Sequence, residues 1–331
     1  MSNEKRELGS YYTQGNPFLH KPFKQWFGQV SETGFILEPF AGNGQIIKLM
    51  QEASFEREWK LFDIDEKLTN VEIRDSIKDF PKGFEAVISN PPYLSYHFAK
   101  RKKLKTNKEY FLGFESLYQT AVYVALNNSE FVGMIIPESF LTSGLFKDRL
   151  QKVISLPYQM FLDTEMPTCL ALWGKETVNE FEIWRGDNYV GLYSQLASTL
   201  KEAPCAERIK FNVLTGSIGL KAIDNSFEPT IAFCSPNLIP PEKIKHSARL
   251  VSRIQIPDLK NPEELIFVAN RILNQWRIET QDILLTAFKG VRADGLFRRR
   301  LDFKNARSIL ANALCEIEGH THANNEQLTL I

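Results

Sequence analysis

Short apolar runs alternate with helical patterns over the first ~175 residues, which is typical of an α/β sheet domain. Strands are predicted at 35–40, 59–65, 71–74, 86–91 and 131–137. Helices are predicted at 44–53, 109–128 and 144–154, and a closing antiparallel ribbon at 158–163 and 168–175. The run at 86–91 is almost wholly apolar, as expected of a strand that is buried on both faces. The pattern therefore predicts a buried, mostly parallel sheet with helices between its strands.

The pattern changes after residue ~185, where elements are shorter, turns are more frequent and the strand–helix alternation is lost. One helix is well signalled there, since Asn261 can cap it, Pro262 suits its first turn and Glu264 completes a capping box. These features predict two domains, a larger α/β domain over 1–185 and a smaller α+β domain over 186–331.

The composition is that of an ordinary soluble protein, with 43% hydrophobic and 24% charged residues in 331. The longest apolar runs are too short to cross a bilayer, and the charged start MSNEKRELGS is unlike a secretion signal, so no membrane contact is expected. The four cysteines lie far apart without a Cys-x-x-Cys pair, which argues against a disulfide framework and a zinc site. We expect a reduced, cytoplasmic protein without a bound metal.

Positive charge is uneven along a chain whose net charge is zero. The run at 100–108 carries six basic residues and no acid, the run at 243–253 carries four and no acid, and the run at 297–307 carries five against one acid. Any one such run is commonly a solvated surface loop. Three of them in a neutral protein favour contact with phosphate groups.

The stretch LEPFAGNGQ (37–45) ends a predicted strand with an acid and continues through two glycines into a helix. Such a turn lets a ligand lie against bare backbone at the helix N-terminus. The dinucleotide-binding pattern requires glycine at 47, where this chain has isoleucine, and no Gly-Lys-Ser/Thr follows to form a phosphate-binding loop. Glu38, at the tip of the strand, would repel phosphate but attract an ammonium group.

Two further carboxylates follow the next predicted strands. Asp63 lies ~20 residues beyond the glycines, where a carboxylate can accept hydrogen bonds from both hydroxyls of a ribose, and Asp65 competes for this role. Asp75 would lie at the tip of the following strand, where it could accept a hydrogen bond from the amino group of an adenine. These residues would suit a ligand that has a ribose, a purine and an ammonium group, and they include no phosphate-binding motif. S-adenosylmethionine has these groups and is the expected cofactor.

The strand at 86–91 runs into Asn90-Pro91-Pro92-Tyr93, where the prolines must end it and form a rigid corner. The side-chain oxygen of Asn90 and the carbonyl of Pro91 can together accept both hydrogens of an exocyclic amine. Tyr93 offers a face on which a planar base can stack. In-line methyl transfer from a sulfonium to such an amine depends mainly on positioning and requires no nucleophilic cysteine or histidine base.

These motifs resemble the amino-methylating N6-adenine DNA methyltransferases, in the gamma-like order with cofactor motifs first and the recognition region last. The resemblance covers residues 9 to 175, and it is carried by GSYYTQGNPF (9–18), EPFAGNG (38–44), NPPY (90–93), GMIIPESFL (133–141) and, more weakly, DTEMPTCLALW (163–173). It implies a Rossmann-like S-adenosylmethionine-dependent methyltransferase sheet followed by a DNA target recognition domain. It also implies that Tyr12 and Thr13 close over the methionine end of the cofactor.

The resemblance and the residue chemistry together give the expected site. Its catalytic residues are Asn90, Pro91, Pro92 and Tyr93. Its cofactor-binding residues are Tyr12, Thr13, Glu38, Pro39, Ala41, Gly42, Gly44, Asp63, Ile64 and Asp75. Ile64 takes the place of an aromatic that covers the cofactor adenine in the family, because Ser76 follows Asp75. Phe161 and Met166 are alternatives for a second residue that stacks on the target base.

The expected function is site-specific methylation of N6 of an adenine that is flipped out of duplex DNA. The resemblance implies a restriction endonuclease as functional partner, and the Arg298–Arg300 cluster and the 243–253 run are expected to read or grip the DNA. An RNA adenine or protein glutamine methyltransferase would use the same Asn-Pro-Pro-Tyr site. A DNA-binding protein that has lost catalysis is a further alternative.

Overall fold

The computed structural model describes residues 16–104, 108–156, 167–200, 204–246 and 248–328. The chain divides into two compact units, Met1–Tyr193 and Ser194–Ile331. Among the described residues, no helix is both long enough and apolar enough to cross a membrane.

The first unit is built on one large sheet, and its described strands pair in the order β3-β2-β1-β4-β5-β7-β6-β8-β9. These strands are β1 Phe35–Glu38, β2 Glu58–Asp63, β3 Glu72–Ile73, β4 Ala86–Ser89, β5 Phe131–Pro137, β6 Leu150–Ser155, β7 Thr168–Trp173, β8 Glu182–Arg185 and β9 Asn188–Leu192. The first five pair in parallel, whereas β7 is antiparallel to both β5 and β6. As the sequence predicts, β4 and β5 are buried along their whole length.

The strand order indicates at which edge of the sheet a ligand is expected to bind. The chain runs outward through β2 and β3 on one side of β1, and then returns to add β4 and β5 on the other side. Ligands of open α/β sheets bind beyond the carboxyl ends of the strands where the order reverses in this way. The carboxyl ends of β1 and β4 therefore mark the expected site.

The α-helices of the first unit that the structure describes are α1 Lys21–Phe27, which precedes β1, and α2 Gln45–Glu52, α3 Tyr96–Arg101 and α4 Leu117–Leu126, which lie between strands. Local chemistry defines their first residues. Gly44 precedes α2 with φ of 72°, a left-handed conformation that suits glycine. Ser116 and Gln119 form a capping box at the start of α4.

Two helix predictions for this unit are wrong. Residues 144–154 were predicted as a helix, but Leu150–Ser155 forms strand β6, which is paired on both sides by β7 and β8. Burial between two strands outweighed the weak helical spacing of its apolar residues. The single helix predicted at 109–128 is a 3₁₀ turn at Lys108–Phe111 followed by α4.

The predicted closing ribbon is correct in part. Strand β7 is antiparallel, as expected, but its described partners are β5 and β6. The other predicted half, 158–163, lies outside the described residues.

The second unit combines separate helices and antiparallel sheets. Its strands are β10 Lys210–Phe211, β11 Ile218–Lys221, β12 Ala232–Cys234, β13 Val251–Gln255, β14 Thr286–Val291 and β15 Phe297–Arg300, and the helices are α5 Tyr193–Ala197, which begins at the unit boundary, α6 Pro262–Thr280 and α7 Phe303–Leu328. The predicted start of α6 is confirmed, since the Asn261 side chain accepts a hydrogen bond from the Glu264 amide.

A buried ion-pair network holds the β14–β15 hairpin within this unit. Asp224 is fully buried, and both its carboxylate oxygens lie 3.1 Å from guanidinium nitrogens of Arg277. A guanidinium nitrogen of Arg292 lies 3.0 Å from Asp224 Oδ2. The Asp224 amide donates to the Arg299 carbonyl, so the network and the hairpin backbone are joined.

Candidate active site

Glu38 ends β1 in a fully buried position. Its Oε1 accepts hydrogen bonds from Ser89 Oγ at 2.6 Å and from the Phe40 amide at 3.1 Å. Its Oε2 is buried and makes no hydrogen bond to any described residue. Burial raises the pKa of this carboxyl group from its ordinary value of 4.5 to about 8, although both hydrogen bonds act to lower it. Glu38 is thus a buried acid with one oxygen still able to take a partner.

The glycine turn after β1 is fixed to the end of β2. Gly42 and Gly44 both have left-handed φ angles, of 51° and 72°. The Gly42 amide donates to Asp63 Oδ2 at 2.8 Å, and the Ala41 amide donates to the Phe62 carbonyl at 2.9 Å. Apart from the adjacent residues, no described residue places an atom within 4 Å of the position that a Cβ would occupy at either glycine. The described part of the chain therefore leaves open space beside this bare backbone.

Asp63 is bonded more extensively than the sequence suggests. Besides the bond to Gly42, its Oδ1 accepts a hydrogen bond from the Asp65 amide at 2.9 Å. Asp65 in turn accepts from the Lys67 amide at 3.0 Å, which uses one of its oxygens in a local turn. Each carboxylate oxygen of Asp63 retains a second lone pair that can accept from a ligand. Ile64, between them, is 49% exposed and can cover a ring.

Asp75 lies two residues beyond β3, with a side chain that is 20% exposed. Its Oδ1 accepts the hydroxyl hydrogen of Tyr110 at 2.8 Å, and its Oδ2 lies 3.0 Å from the Lys78 ammonium. The following residue, Ser76, is buried, and its hydroxyl makes no hydrogen bond to any described residue.

The Asn-Pro-Pro-Tyr corner follows β4 directly. The hydroxyl of Tyr93 lies 2.8 Å from Asn90 Oδ1 and 2.7 Å from the Ile135 carbonyl oxygen on β5. Tyr93 is only 7% exposed, and its ring packs edge-on against Tyr118 with the centroids 6.3 Å apart. The corner is therefore anchored to the neighbouring strand, with Asn90 at its more exposed end.

Most of the predicted site residues in the described chain come together at one edge of the sheet. The ends of β1, β2, β3 and β4 supply them, in the order of the strands. Pro39 and Ala41 are buried within the glycine turn, and Pro91 is buried behind Asn90. Tyr12, Thr13, Phe161 and Met166 lie outside the described residues.

Three polar residues near this edge were missed by the sequence analysis. Ser89 bonds Glu38, and Tyr110 bonds Asp75. Glu138, directly after β5, is 3% exposed and accepts the hydroxyl hydrogen of Ser155 at 2.8 Å. The sequence does contain a signal for Glu138, because an acidic residue at the end of a buried strand repeats the pattern that identified Glu38.

The basic residues of the three runs differ in how far their side chains are exposed to solvent. Residues 100–103 and Lys243, Lys245 and Arg249 are exposed. Arg299, however, is 3% exposed within β15, so its guanidinium is not available to a phosphate. The prediction that Arg299 contacts DNA is therefore wrong, because alternate side chains of a strand face the interior. The Arg253 guanidinium is already hydrogen-bonded within the protein, because it donates to the carbonyls of Ile239 and Leu214.

No group of three or more histidine, cysteine, aspartate or glutamate residues within the described ranges is arranged to hold a metal ion.

Part of the chain, including this site, is similar to a known protein family. Residues 31–156 match the sequence model of the Eco57I restriction-modification methylase family. A search of curated proteins returned no match.

Several solved structures are similar to about half of the chain. The methyltransferase subunit of a type I restriction-modification system from Streptococcus thermophilus is 15% identical over 53% of this chain and 47% of its own, with a TM-score of 0.38. The type IIG restriction endonuclease BpuSI is 16% identical over 54% and 27%, with a TM-score of 0.39. The M protein of the type I restriction enzyme EcoKI is 10% identical over 53% and 48%, with a TM-score of 0.37. The matches span less than half of each of these proteins.

The fold class predicted from the sequence is confirmed in its architecture, an α/β unit built on a large, mostly parallel sheet together with a smaller additional unit. The matched segment contains Glu38, Asp63, Asp75 and the Asn-Pro-Pro-Tyr corner. Residues 31–156, which carry these groups, are therefore similar to the Eco57I restriction-modification methylase family.

Proposed function

We propose that this chain transfers a methyl group from S-adenosylmethionine to N6 of an adenine flipped out of duplex DNA. The observation that carries the proposal is the hydrogen bond from Ser89 to Glu38. It joins the end of β1, where the cofactor is expected, to the residue that precedes Asn90. Donor and acceptor sites on adjacent strand ends are the arrangement that in-line methyl transfer requires.

The residues present fit this cofactor. Glu38 has a buried oxygen with no described partner, which can accept from an ammonium group. The left-handed glycines leave open space beside the turn, Asp63 retains acceptor capacity for a ribose, and Asp75 can accept from an adenine amine. When bound, S-adenosylmethionine supplies an electrophilic methyl group on a positively charged sulfur.

The chain itself positions the acceptor. Asn90 Oδ1 and the Pro91 carbonyl accept the two hydrogens of the adenine amine, which draws the nitrogen lone pair away from the ring and towards the methyl donor. Tyr93 holds Asn90 through its hydroxyl, and we retain it as the ring that contacts the base. The base must leave the duplex first, because N6 is inaccessible to the corner while it is paired and stacked.

Exposed basic residues on both units support duplex DNA as the substrate. They are Lys100, Arg101, Lys102, Lys103, Lys243, Lys245 and Arg249. Such residues bind the phosphate backbone without regard to sequence. We assign sequence recognition to the second unit, and we propose a cognate restriction endonuclease as functional partner on the strength of the family match.

A methyl-transfer assay with labelled S-adenosylmethionine and the full chain tests the function. The acceptors are a mixture of duplex DNA, structured RNA and protein, and the labelled nucleoside or amino acid is then identified. We expect N6-methyladenine in DNA for the wild type and an initial labelling rate that is lower by about 10²-fold or more with Asn90→Ala. Label in RNA or in protein glutamine would replace the proposed substrate, and DNA binding without any transfer would leave a non-catalytic DNA-binding protein.

A further inference from the structure

Residues 94–104 and 108–117, together called the Leu94–Leu117 segment, pack around an apolar cluster of their own. The buried members of this cluster are Ile77, Leu94, Ala99, Phe111 and Leu117, and the partly buried members are Phe40, Tyr96, Phe98, Leu104 and Tyr110. Most belong to the segment, but two come from the proposed cofactor pocket. Phe40 lies in the glycine turn, and Ile77 lies two residues beyond Asp75.

Tyr110 connects the segment to the pocket by a hydrogen bond as well. Its hydroxyl donates to Asp75 Oδ1 at 2.8 Å, and the Lys78 ammonium lies 5.3 Å from its ring centroid. Burial and the Asp75 charge both raise the pKa of Tyr110, so the hydroxyl remains a neutral donor over the working pH range. The bond therefore holds one oxygen of the carboxylate that we assign to the cofactor adenine.

The same segment carries the basic run beside the Asn-Pro-Pro-Tyr corner. Helix α3 begins three residues after Tyr93, and residues 100–103 at its end are exposed. Three residues span at most about 11 Å and a six-residue helix is about 9 Å long, so the backbone at Lys100 and Arg101 lies within roughly 20 Å of Tyr93. That distance suits the phosphates that flank a nucleotide held at the corner. Lys100 and Arg101 complement the helix dipole, but Lys102 and Lys103 lie beyond the last helical residue.

We propose that Tyr110 couples the two binding events, so that cofactor bound at Asp75 favours the conformation of the Leu94–Leu117 segment that grips DNA phosphates. This inference rests on the proposed function, because it needs both ligands. The physical basis is shared structure: the cofactor turn, the Asp75 strand end and the basic segment are packed into one cluster. A ligand that orders one part lowers the cost of ordering the others. By linkage, DNA must raise cofactor affinity by the same factor.

The experiment measures that factor with the full chain. S-adenosylhomocysteine, which has no methyl group to transfer, is titrated with and without a saturating duplex that contains the site methylated in the assay above. For the wild type we expect about 5-fold tighter binding or more in the presence of DNA. Tyr110→Phe keeps the ring, its packing and the Lys78 contact but removes the hydroxyl, and we expect the ratio to fall to near one. Tyr96→Phe, which removes a hydroxyl from the same cluster but not from Asp75, should keep the wild-type ratio.

A purely structural role for Tyr110 would change stability or both affinities, but it would leave their ratio intact. An unchanged ratio in Tyr110→Phe, or no coupling in a wild type that methylates DNA, would overturn the coupling role alone. Failure of the wild type to bind S-adenosylhomocysteine or to methylate DNA would overturn the proposed function instead. Amide hydrogen exchange at Ala99–Arg101 gives a second readout: S-adenosylhomocysteine alone should slow it in the wild type and not in Tyr110→Phe.

Discussion

The hydroxyl of Tyr93 lies between two oxygen atoms, Asn90 Oδ1 at 2.8 Å and the Ile135 carbonyl at 2.7 Å. A phenol has one hydrogen to donate, so it cannot satisfy two acceptors fully. A side-chain amide can present either its oxygen or its nitrogen, and with Nδ2 donating to Tyr93 all three groups are satisfied. Asn90 Oδ1 then faces outward, free to accept from a substrate amine. We infer from this geometry that Tyr93 determines which way the Asn90 amide points.

Tyr93→Phe should separate this positioning role from any stacking role of the ring. The ring remains, but Asn90 loses the hydroxyl that orients it. We expect turnover to fall about 10- to 100-fold, as misplacement of a positioning group does, with cofactor affinity unchanged. Single-turnover kinetics and cofactor titration measure the two quantities. Tyr123→Phe, at an exposed position on α4, is the control and should change neither.

Asn90→Ala should remove a contact that strengthens in the transition state. We expect turnover to fall by about 10²-fold or more, with little change in cofactor affinity. A comparable loss of cofactor affinity would mean that the corner serves cofactor binding and does not orient the acceptor amine.

Glu38→Gln should stabilise the protein at alkaline pH. The folded state holds a proton on Glu38 up to a pKa of about 8, whereas the unfolded chain loses it near 4.5. The folded state thus binds more protons between these values, so wild-type stability falls as pH rises through this window. We expect the free energy of unfolding of Glu38→Gln, relative to wild type, to rise by roughly 2–4 kcal/mol from pH 5 to pH 8. Urea unfolding at several pH values measures it, and a pH-independent difference would contradict the raised pKa.

The same substitution should weaken cofactor binding, because an amide cannot neutralise an ammonium group. In the wild type, binding of the cofactor ammonium should favour the ionised form of Glu38, so a proton is released below pH 8. Cofactor affinity should therefore rise with pH through this range. Calorimetric titration in two buffers of different ionisation enthalpy measures the proton release, and Glu38→Gln should abolish it.

Lys245→Ala should change DNA binding but not stability, whereas Arg299→Ala should change stability but not the salt dependence of DNA binding. Lys245 is exposed, so its loss should weaken DNA binding and reduce the slope of log affinity against log salt by about one. Arg299 is buried, so its truncation should lower the free energy of unfolding and leave the salt slope of the folded protein unchanged. Lys260→Ala, at an exposed site outside the basic runs, is the matched control. A reduced salt slope for Arg299→Ala would restore its predicted DNA contact.

Asp224→Ala should destabilise the second unit, because it leaves Arg277 and Arg292 as buried charges without this partner. Breaking such a pair costs about 3–5 kcal/mol. Burial acts to raise the pKa of Asp224, but hydrogen bonds and charge from Arg277 prevail and lower it. Its stabilisation is therefore present above the unfolded pKa and is lost as pH falls through the lower folded value. Urea unfolding at neutral and acidic pH should show the variant and wild type converging at low pH.

The sequence by itself determined the features that depend on a few adjacent residues. The glycine turn after Glu38 requires left-handed backbone, the two prolines end β4 at Asn90, and Asn261 caps α6. In each case the backbone chemistry of neighbouring residues leaves few alternatives. The carboxylates at successive strand tips were also predictable, because parallel strands end at the same edge of a sheet.

The tertiary structure decided what depends on distant partners. Residues 150–155 became a strand because β7 and β8 flank them, and Arg299 was buried because its hairpin packs on the Asp224 network. The raised pKa of Glu38 and the bond from Tyr110 to Asp75 likewise come from burial and from contacts between residues far apart in the chain. Local chemistry limits the backbone of a residue, but only the packed fold determines its solvent exposure and its partners.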